Sequence, residues 1–221
     1  MKRTLLFAGL MTLLAVPSFA VVQIDFTNGS AGSGGIINVV GTNVNGSGVL
    51  IGSMTVVGAG AFDGSYDTFG TGAGLINGSA VLNFNTATNF IEIIGGVCVQ
   101  GNSTCNGGGG TAVAGGTTLL QGTFSSWTAL NTGFFGGLLA GQGPDVKSPL
   151  LLAALGLSTT TQFNYFAFNI TGTSTGTGSP FTAISTDILN TAVPEPASIV
   201  LFGTVLFGVT QLLRRRSATK V

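Results

Sequence analysis

Apolar and polar residues alternate along most of the middle of the chain. In VVQIDFT, Val22, Ile24 and Phe26 share one face and polar residues occupy the other, which predicts a half-buried β-strand. The stretch TQFNYFAFNIT at residues 161–171 repeats the pattern with phenylalanines and an isoleucine. Because each apolar face needs a second layer to cover it, the pattern predicts strands packed in layers.

Asn-Gly pairs interrupt these strands and predict tight turns, since this dipeptide favours the two-residue type I′ hairpin. They begin at Asn28, Asn45, Asn77 and Asn106. In AGLINGSAVLNF, residues 73–76 and 79–84 are predicted to pair across the Asn77 turn. Short strands with frequent turns indicate an all-β domain, an antiparallel, sandwich-like pair of sheets. A β-solenoid is the rival architecture, but the chain has no repeat of fixed length.

One short helix is predicted within this β domain, near residues 149–155, in SPLLLAALG. Ser148 can cap its first turn, Pro149 suits the first helical position, and Gly156 can end it in a left-handed conformation. Its leucines are expected to cover an open end or edge of the sheets. Glycine-rich stretches such as NGGGGTAVAGG are predicted to form loops.

Residues 1–20 have the pattern of a secretory signal peptide. A basic start and the apolar run TLLFAGLMTLLAV are followed by a proline and by small residues at Ser18 and Ala20. We expect a signal helix that uses the Sec translocon and is cut by signal peptidase between Ala20 and Val21. An uncleaved anchor helix is the alternative.

The C-terminal part places an apolar segment between a proline-flanked carboxylate and a basic cluster. Residues 197–213 are uncharged and would form a transmembrane helix about 25 Å long, near the lower limit for crossing a bilayer. Pro194 and Pro196 hold Glu195 in an extended conformation beside this segment. The basic cluster is Arg214, Arg215 and Arg216. By the positive-inside rule it keeps the C-terminus in the cytoplasm, so residues 21–193 lie outside.

The order of VPEPAS, an apolar span and terminal arginines resembles the PEP-CTERM sorting signal of Gram-negative bacteria. The resemblance covers residues 192–217 and implies that Pro194, Glu195 and Pro196 are recognised by exosortase, a membrane cysteine protease. The arginines would act as the cytoplasmic stop. The resemblance implies an inner-membrane-anchored intermediate that reaches the cell surface or the exterior. An unprocessed single-span anchor is the alternative.

Charge is scarce in the exported body, which we place at residues 21–191. Lys147 is its single cation. Its acids are Asp25, Asp63, Asp67, Glu92, Asp145 and Asp187. An acidic body disfavours binding to nucleic acid, which needs a basic face.

Few residues of the body suit catalysis or metal binding. The chain has no histidine, which removes Ser-His and Cys-His catalytic pairs and leaves metal binding few ligands. We therefore predict no cofactor and no metal site. Cys98 and Cys105, the two cysteines, are expected to form a disulfide in an oxidising compartment.

Two groups of side chains keep other functions open. Asp63 and Asp67 are the nearest carboxylate pair for a hydrolase, with Glu92 as a further candidate, although turn aspartates that bond local backbone explain the pair more simply. The aromatic residues that can stack on sugars when exposed are Trp127, Tyr66 and Tyr165, and we expect Trp127 to be buried in the core.

These observations predict an exported, non-enzymatic protein of the cell surface or exopolysaccharide matrix. A glycan-binding surface module with exopolysaccharide as its partner is the alternative. A secreted hydrolase is the third alternative.

Overall fold

The computed structural model describes residues 21–70, 79–99, 111–174, 179–192 and 206–208 of the chain. Its described residues form a 12-stranded sheet in which every pairing is antiparallel. The strands are β1 (Gln23–Thr27), β2 (Ile36–Val40), β3 (Asn43–Ile51), β4 (Ser53–Val57), β5 (Gly64–Phe69), β6 (Ala80–Asn85), β7 (Phe90–Val99), β8 (Thr111–Gly122), β9 (Ser126–Asn131), β10 (Phe135–Lys147), β11 (Phe163–Thr173) and β12 (Phe181–Ala192). The predicted all-β class is confirmed.

The strands belong to one sheet that closes on itself, rather than to two separate sheets. On one edge β12 pairs with β11, and on its other edge it pairs with both β1 and β2. In the same way, β7 pairs with β8 on one edge and with both β5 and β6 on the other. From β12 the sheet runs through β11, β10 and β8 to β7. Two rows of strands then lead back to β12, one through β5, β4 and β1 and the other through β6, β3 and β2. Closure leaves most strand edges hydrogen-bonded.

The core fills the inside of this closed sheet. Ile24 and Phe26 of β1 are fully buried, and Val22 packs against the core, as the alternation predicted. On β11 the predicted inward face is also confirmed, with Phe166 and Ile170 at 0% exposure. Aromatic rings meet edge to face in the centre: the centroids of Phe84 and Phe168 lie 5.0 Å apart, and those of Phe124 and Phe166 5.4 Å. This geometry is the favoured one for aromatic pairs.

The predicted short helix is present as α1 (Pro149–Ala154). The Ser148 hydroxyl accepts a hydrogen bond from the Leu150 N–H at 3.2 Å, and Gly156 follows the helix with a φ of 65°. The helix contacts β8, and Leu151 and Leu152 are buried against the sheet. Both the predicted caps and the predicted covering role are confirmed.

The Asn-Gly prediction of two-residue hairpins is wrong at the positions that the structure describes. Asn45 and Gly46 lie inside β3. Asn28 does begin a tight turn, in which the Ala31 N–H donates to the Asn28 carbonyl oxygen at 2.9 Å, but this is a 3₁₀ turn and not a hairpin. Both edges of β6 are taken, by β3 and by β7, so residues 79–84 do not pair with 73–76. Residues 71–78 themselves lie outside the described chain. The tight β2–β3 turn instead uses Gly41, whose φ is 62°.

Several predictions for the chain ends fall outside the described residues. These are the signal helix, its cleavage between Ala20 and Val21, and most of the span at 197–213. Residues 206–208 are helical. Within the described part of the chain, no helix has the length and apolar character needed to span a membrane.

Candidate functional site

A groove of about 360 Å³ crosses the outer face of β9, β10, β11 and β12. We call it the outer groove. Its floor follows from strand alternation: Phe168 and Ile188 point into the core, so Asn169 and Asp187 beside them face outward. The polar side chains that line it with Trp127 are Ser126, Thr128, Gln142, Asn169 and Asp187.

Trp127 is among the residues that line the outer groove. It is half-buried and packs against the core, with its ring edge to face with Phe124 at a centroid distance of 6.3 Å. Its indole N–H donates to the Thr42 carbonyl oxygen at 2.9 Å, which ties β9 to the β2–β3 turn. The predicted core burial is therefore only partial.

A pair of carboxyl groups lies at one side of the groove. Asn169 Nδ2 donates to Asp187 Oδ2 at 3.3 Å. Asp25, on the neighbouring β1, faces Asp187. Burial raises the pKa of Asp25 from 3.8 to about 7, and the hydrogen bond and negative charge of Asp187 add to the increase. Asp25 therefore carries a proton over most of the acidic range below neutral pH.

This arrangement suits the binding of a neutral, hydroxyl-rich ligand. A tryptophan ring provides an apolar face for stacking, while amides and a carboxylate provide donors and acceptors for hydroxyl groups. Sequence analysis named Trp127 but missed Gln142, Asn169 and Asp187 as partners. Strand alternation shows that these three face outward, but only the pairing of β10, β11 and β12 makes them neighbours.

The carboxylates proposed for a hydrolase do not come together. Asp63 is exposed, and its Oδ1 accepts a hydrogen bond from the Ala59 N–H at 2.6 Å, so its predicted role as a turn aspartate is confirmed. Asp67 lies in β5 opposite Cys98, so its predicted place in a turn is wrong. Glu92 accepts from Asn83 Nδ2 at 3.1 Å. Along β7, Glu92 lies about 20 Å from Cys98, the residue that pairs with Asp67. Glu92 and Asp67 are therefore too far apart to act as a catalytic carboxylate pair.

The remaining candidate residues are two tyrosines and two cysteines. Tyr66 is 7% exposed and its hydroxyl donates to the Phe62 carbonyl oxygen, so its ring is not free to stack on a sugar. The side chain of Tyr165 lies outside what the structure describes. Cys98 is buried in β7, while Cys105 lies outside the described residues, so their disulfide stays a prediction. Among the described residues, no group of three or more acidic, cysteine or histidine side chains could hold a metal ion.

The closing strand of the sheet leads directly into the C-terminal segment. The Ala192 N–H donates to the Val22 carbonyl oxygen at 2.8 Å, so the two ends of the folded body lie together. Residues 192–217 match the family model of the PEP-CTERM protein-sorting motif. The PEP-CTERM motif begins at the last residue of β12 and includes Pro194, Glu195, Pro196 and the arginine cluster, all outside the described residues.

The PEP-CTERM motif implies an exported protein that is anchored transiently in the membrane and processed by exosortase, a membrane protease. The match confirms the resemblance drawn from the sequence. No curated protein and no solved structure matches the chain.

Proposed function

We propose that the chain is a non-enzymatic protein of the cell surface or exopolysaccharide matrix, delivered there by exosortase processing. The observation that carries the proposal is the sorting motif placed directly after the strand that closes the sheet. The closed sheet supports it, because such a body resists edge-to-edge aggregation after release. The scattered positions of Asp63, Asp67 and Glu92 also favour a role without catalysis.

Cell fractionation with an epitope tag in the body tests the sorting step. In cells with the sorting protease we expect a shortened form at the surface or in the medium. Without the protease, or with Glu195→Ala, the unprocessed form is expected to stay in the membrane fraction. Asp63→Asn, which changes an exposed acid of the body, is the matched control and should be processed normally. The same full-length membrane form with and without the protease would refute the proposal.

The outer groove favours a second candidate function, the binding of carbohydrate. A partly exposed tryptophan beside outward-facing amides is the arrangement that recognises sugar rings and their hydroxyl groups. Exopolysaccharide of the producing cell is the natural ligand class for a protein sorted to that matrix. In this proposal Trp127 stacks on the sugar, and Asn169 and Asp187 bind its hydroxyl groups.

Binding to the cell's own exopolysaccharide tests this second function. Trp127→Ala is expected to weaken binding about tenfold or more, which corresponds to losing one stacked ring. Asn169→Ala removes an exposed amide from the groove and should weaken binding without disturbing the core. Phe134→Ala is the matched control, since Phe134 is 57% exposed and does not line the groove. Equal binding by all three variants and the unaltered protein would exclude the outer groove as the binding site for the exopolysaccharide.

A further inference from the structure

The single cation of the exported body is buried in its interior. Lys147 is 2% exposed, and its side chain is fully enclosed. Its Nζ lies 4.8 Å from the ring centroid of Phe163. Burial lowers the pKa of Lys147 well below its usual value. A desolvated lysine of this kind is available as a neutral amine, which is the nucleophilic form.

Two polar side chains contact this amine. Lys147 Nζ donates to Asp145 Oδ2, and it also donates to Asn190 Oδ1 at 2.9 Å. Asp145 has a fully enclosed side chain, and Asn190 is 0% exposed. The three side chains form a cluster that we call the buried triad. Asp145 and Lys147 belong to β10 and Asn190 to β12, on either side of β11.

The carboxamide of Asn190 is held with its carbonyl group toward the lysine. Its Nδ2 donates to the carbonyl oxygens of Ile24 and Ile188, each at 3.0 Å. These two acceptors assign the nitrogen and leave Oδ1 as the atom facing Lys147. The carbonyl carbon lies one bond, about 1.2 Å, beyond that oxygen. An amine is therefore held beside an amide carbon in a site that excludes solvent.

The rival interpretation is an ordinary buried ion pair. Such pairs stabilise a fold weakly, because desolvating both charges offsets their attraction unless further hydrogen bonds satisfy them. Here Asp145 Oδ1 is buried and has no hydrogen-bond partner among the described residues. A buried oxygen without a hydrogen-bond donor is unfavourable for a carboxylate, but it suits a carboxyl group that takes up and returns a proton during a reaction at Lys147.

We propose that Lys147 and Asn190 join in an intramolecular amide bond between β10 and β12. Asp145 takes a proton from the lysine ammonium, and the neutral Nζ then attacks Cγ of Asn190 to form a tetrahedral intermediate. Asp145 moves the proton released by Nζ to the departing nitrogen. The Cγ–Nδ2 bond breaks, and ammonia leaves as ammonium with the proton that Asp145 first took from Lys147, which restores the carboxylate. Lysine ammonium and asparagine amide thus become one secondary amide and ammonium, with no oxidant or other co-reactant.

A cleft lies beside two members of the triad. A cavity of about 620 Å³ between β8, β10 and the segment after α1 is lined by Asp145 and Lys147. The bond would also have a clear structural effect. It would fasten β12, the strand that closes the sheet and leads to the sorting motif, to β10.

Trypsin digestion of the full chain tests the bond directly. Trypsin cleaves after lysine and arginine, and Lys147 is the single such residue between positions 21 and 193. An amide-linked lysine is not cleaved. From the purified, unfolded and reduced chain we therefore expect a peptide that runs uncut through residue 147 and is lighter than its sequence by one ammonia. Cleavage after residue 147, with the full sequence mass, would overturn the proposal.

Two variants separate the bond from a structural role. Lys147→Arg keeps a buried cation and a trypsin site but cannot form the bond, so it should be cut after residue 147. Asp145→Asn keeps both reacting side chains, Lys147 and Asn190. It replaces the carboxylate of Asp145 with an amide of similar size. We expect it to be cut at Lys147 and to retain its full mass. An uncut, lighter peptide from this variant would overturn the role of Asp145. Because the bond can form only in the folded chain, each variant is digested after circular dichroism has shown that it retains the β-sheet signal of the unaltered protein.

Discussion

Asp25 shows how the environment of one side chain changes its chemistry. It lies half-buried on the outward face of β1, beside the carboxyl group of Asp187. Its Oδ1 is buried without a hydrogen-bond donor among the described residues. Burial, followed by the hydrogen bond and charge of Asp187, raises its pKa from 3.8 to about 7. The folded protein therefore holds this proton at pH values where the unfolded chain releases it.

This raised pKa predicts a pH-dependent stability. Between pH 3.8 and about 7 the folded state binds more protons than the unfolded state, so the free energy of unfolding falls as pH rises. The favourable contribution is complete below the lower value and is lost through the upper one. In Asp25→Asn the fall should be smaller, and at neutral pH the variant should be more stable by about 1–2 kcal/mol after allowance for partial solvent screening.

Urea unfolding measured across that pH range checks the prediction. Gln23→Ala, an exposed and uncharged neighbour on the same strand, is the control and should follow the profile of the unaltered protein. If Asp25→Asn had the same pH profile as both, the raised pKa of Asp25 would be excluded.

At the scale of elements, glycines inside strands allow large rings to pack across a strand pair. Gly46 of β3 pairs with Phe84 of β6, and Gly96 of β7 pairs with Phe69 of β5. A Cβ atom at either glycine would collide with the ring opposite. Glycine content, which the sequence analysis assigned to loops, thus also serves the sheet. A ring lying over a glycine covers backbone that would otherwise be poorly packed.

Gly46→Ala is predicted to destabilise the sheet. The added methyl group would meet the Phe84 ring, and overpacking of this kind lowers the free energy of unfolding by about 1–3 kcal/mol. Ser47→Ala, at the exposed next position of β3, should change it by less than about 0.5 kcal/mol. The midpoints of urea unfolding measure both effects. Equal midpoints for the two variants would contradict the proposed packing.

At the scale of the molecule, the closing strand and the sorting motif share a residue. β12 pairs with β1, β2 and β11, and it ends at Ala192, where the PEP-CTERM match begins. A cut inside β12 would remove hydrogen bonds to both β1 and β11. A cut after it leaves the closed sheet complete. The released protein therefore keeps its fold only when processing occurs beyond the sheet.

This geometry predicts where the mature protein ends. Its C-terminal residue is expected at or beyond position 192, because Ala192 still donates to Val22 in the folded body. Mass spectrometry of the C-terminal peptide from the released protein gives that position. A folded, released form ending before Phe181, and hence without β12, would contradict closure by this strand.

Local pattern was enough to predict the β class, the inward faces of β1 and β11, the capped helix α1 and the sorting motif. Each depends on residues close together in sequence: a two-residue alternation, a serine and proline before leucines, or a tripeptide before an apolar run. Tertiary structure alone decided which strands pair, and it placed Asn45 and Gly46 in a strand because Phe84 needs the space opposite. It also brought Trp127 near Asn169, and Lys147 near Asn190. Such contacts depend on strand order and closure, which alternation along one strand does not encode.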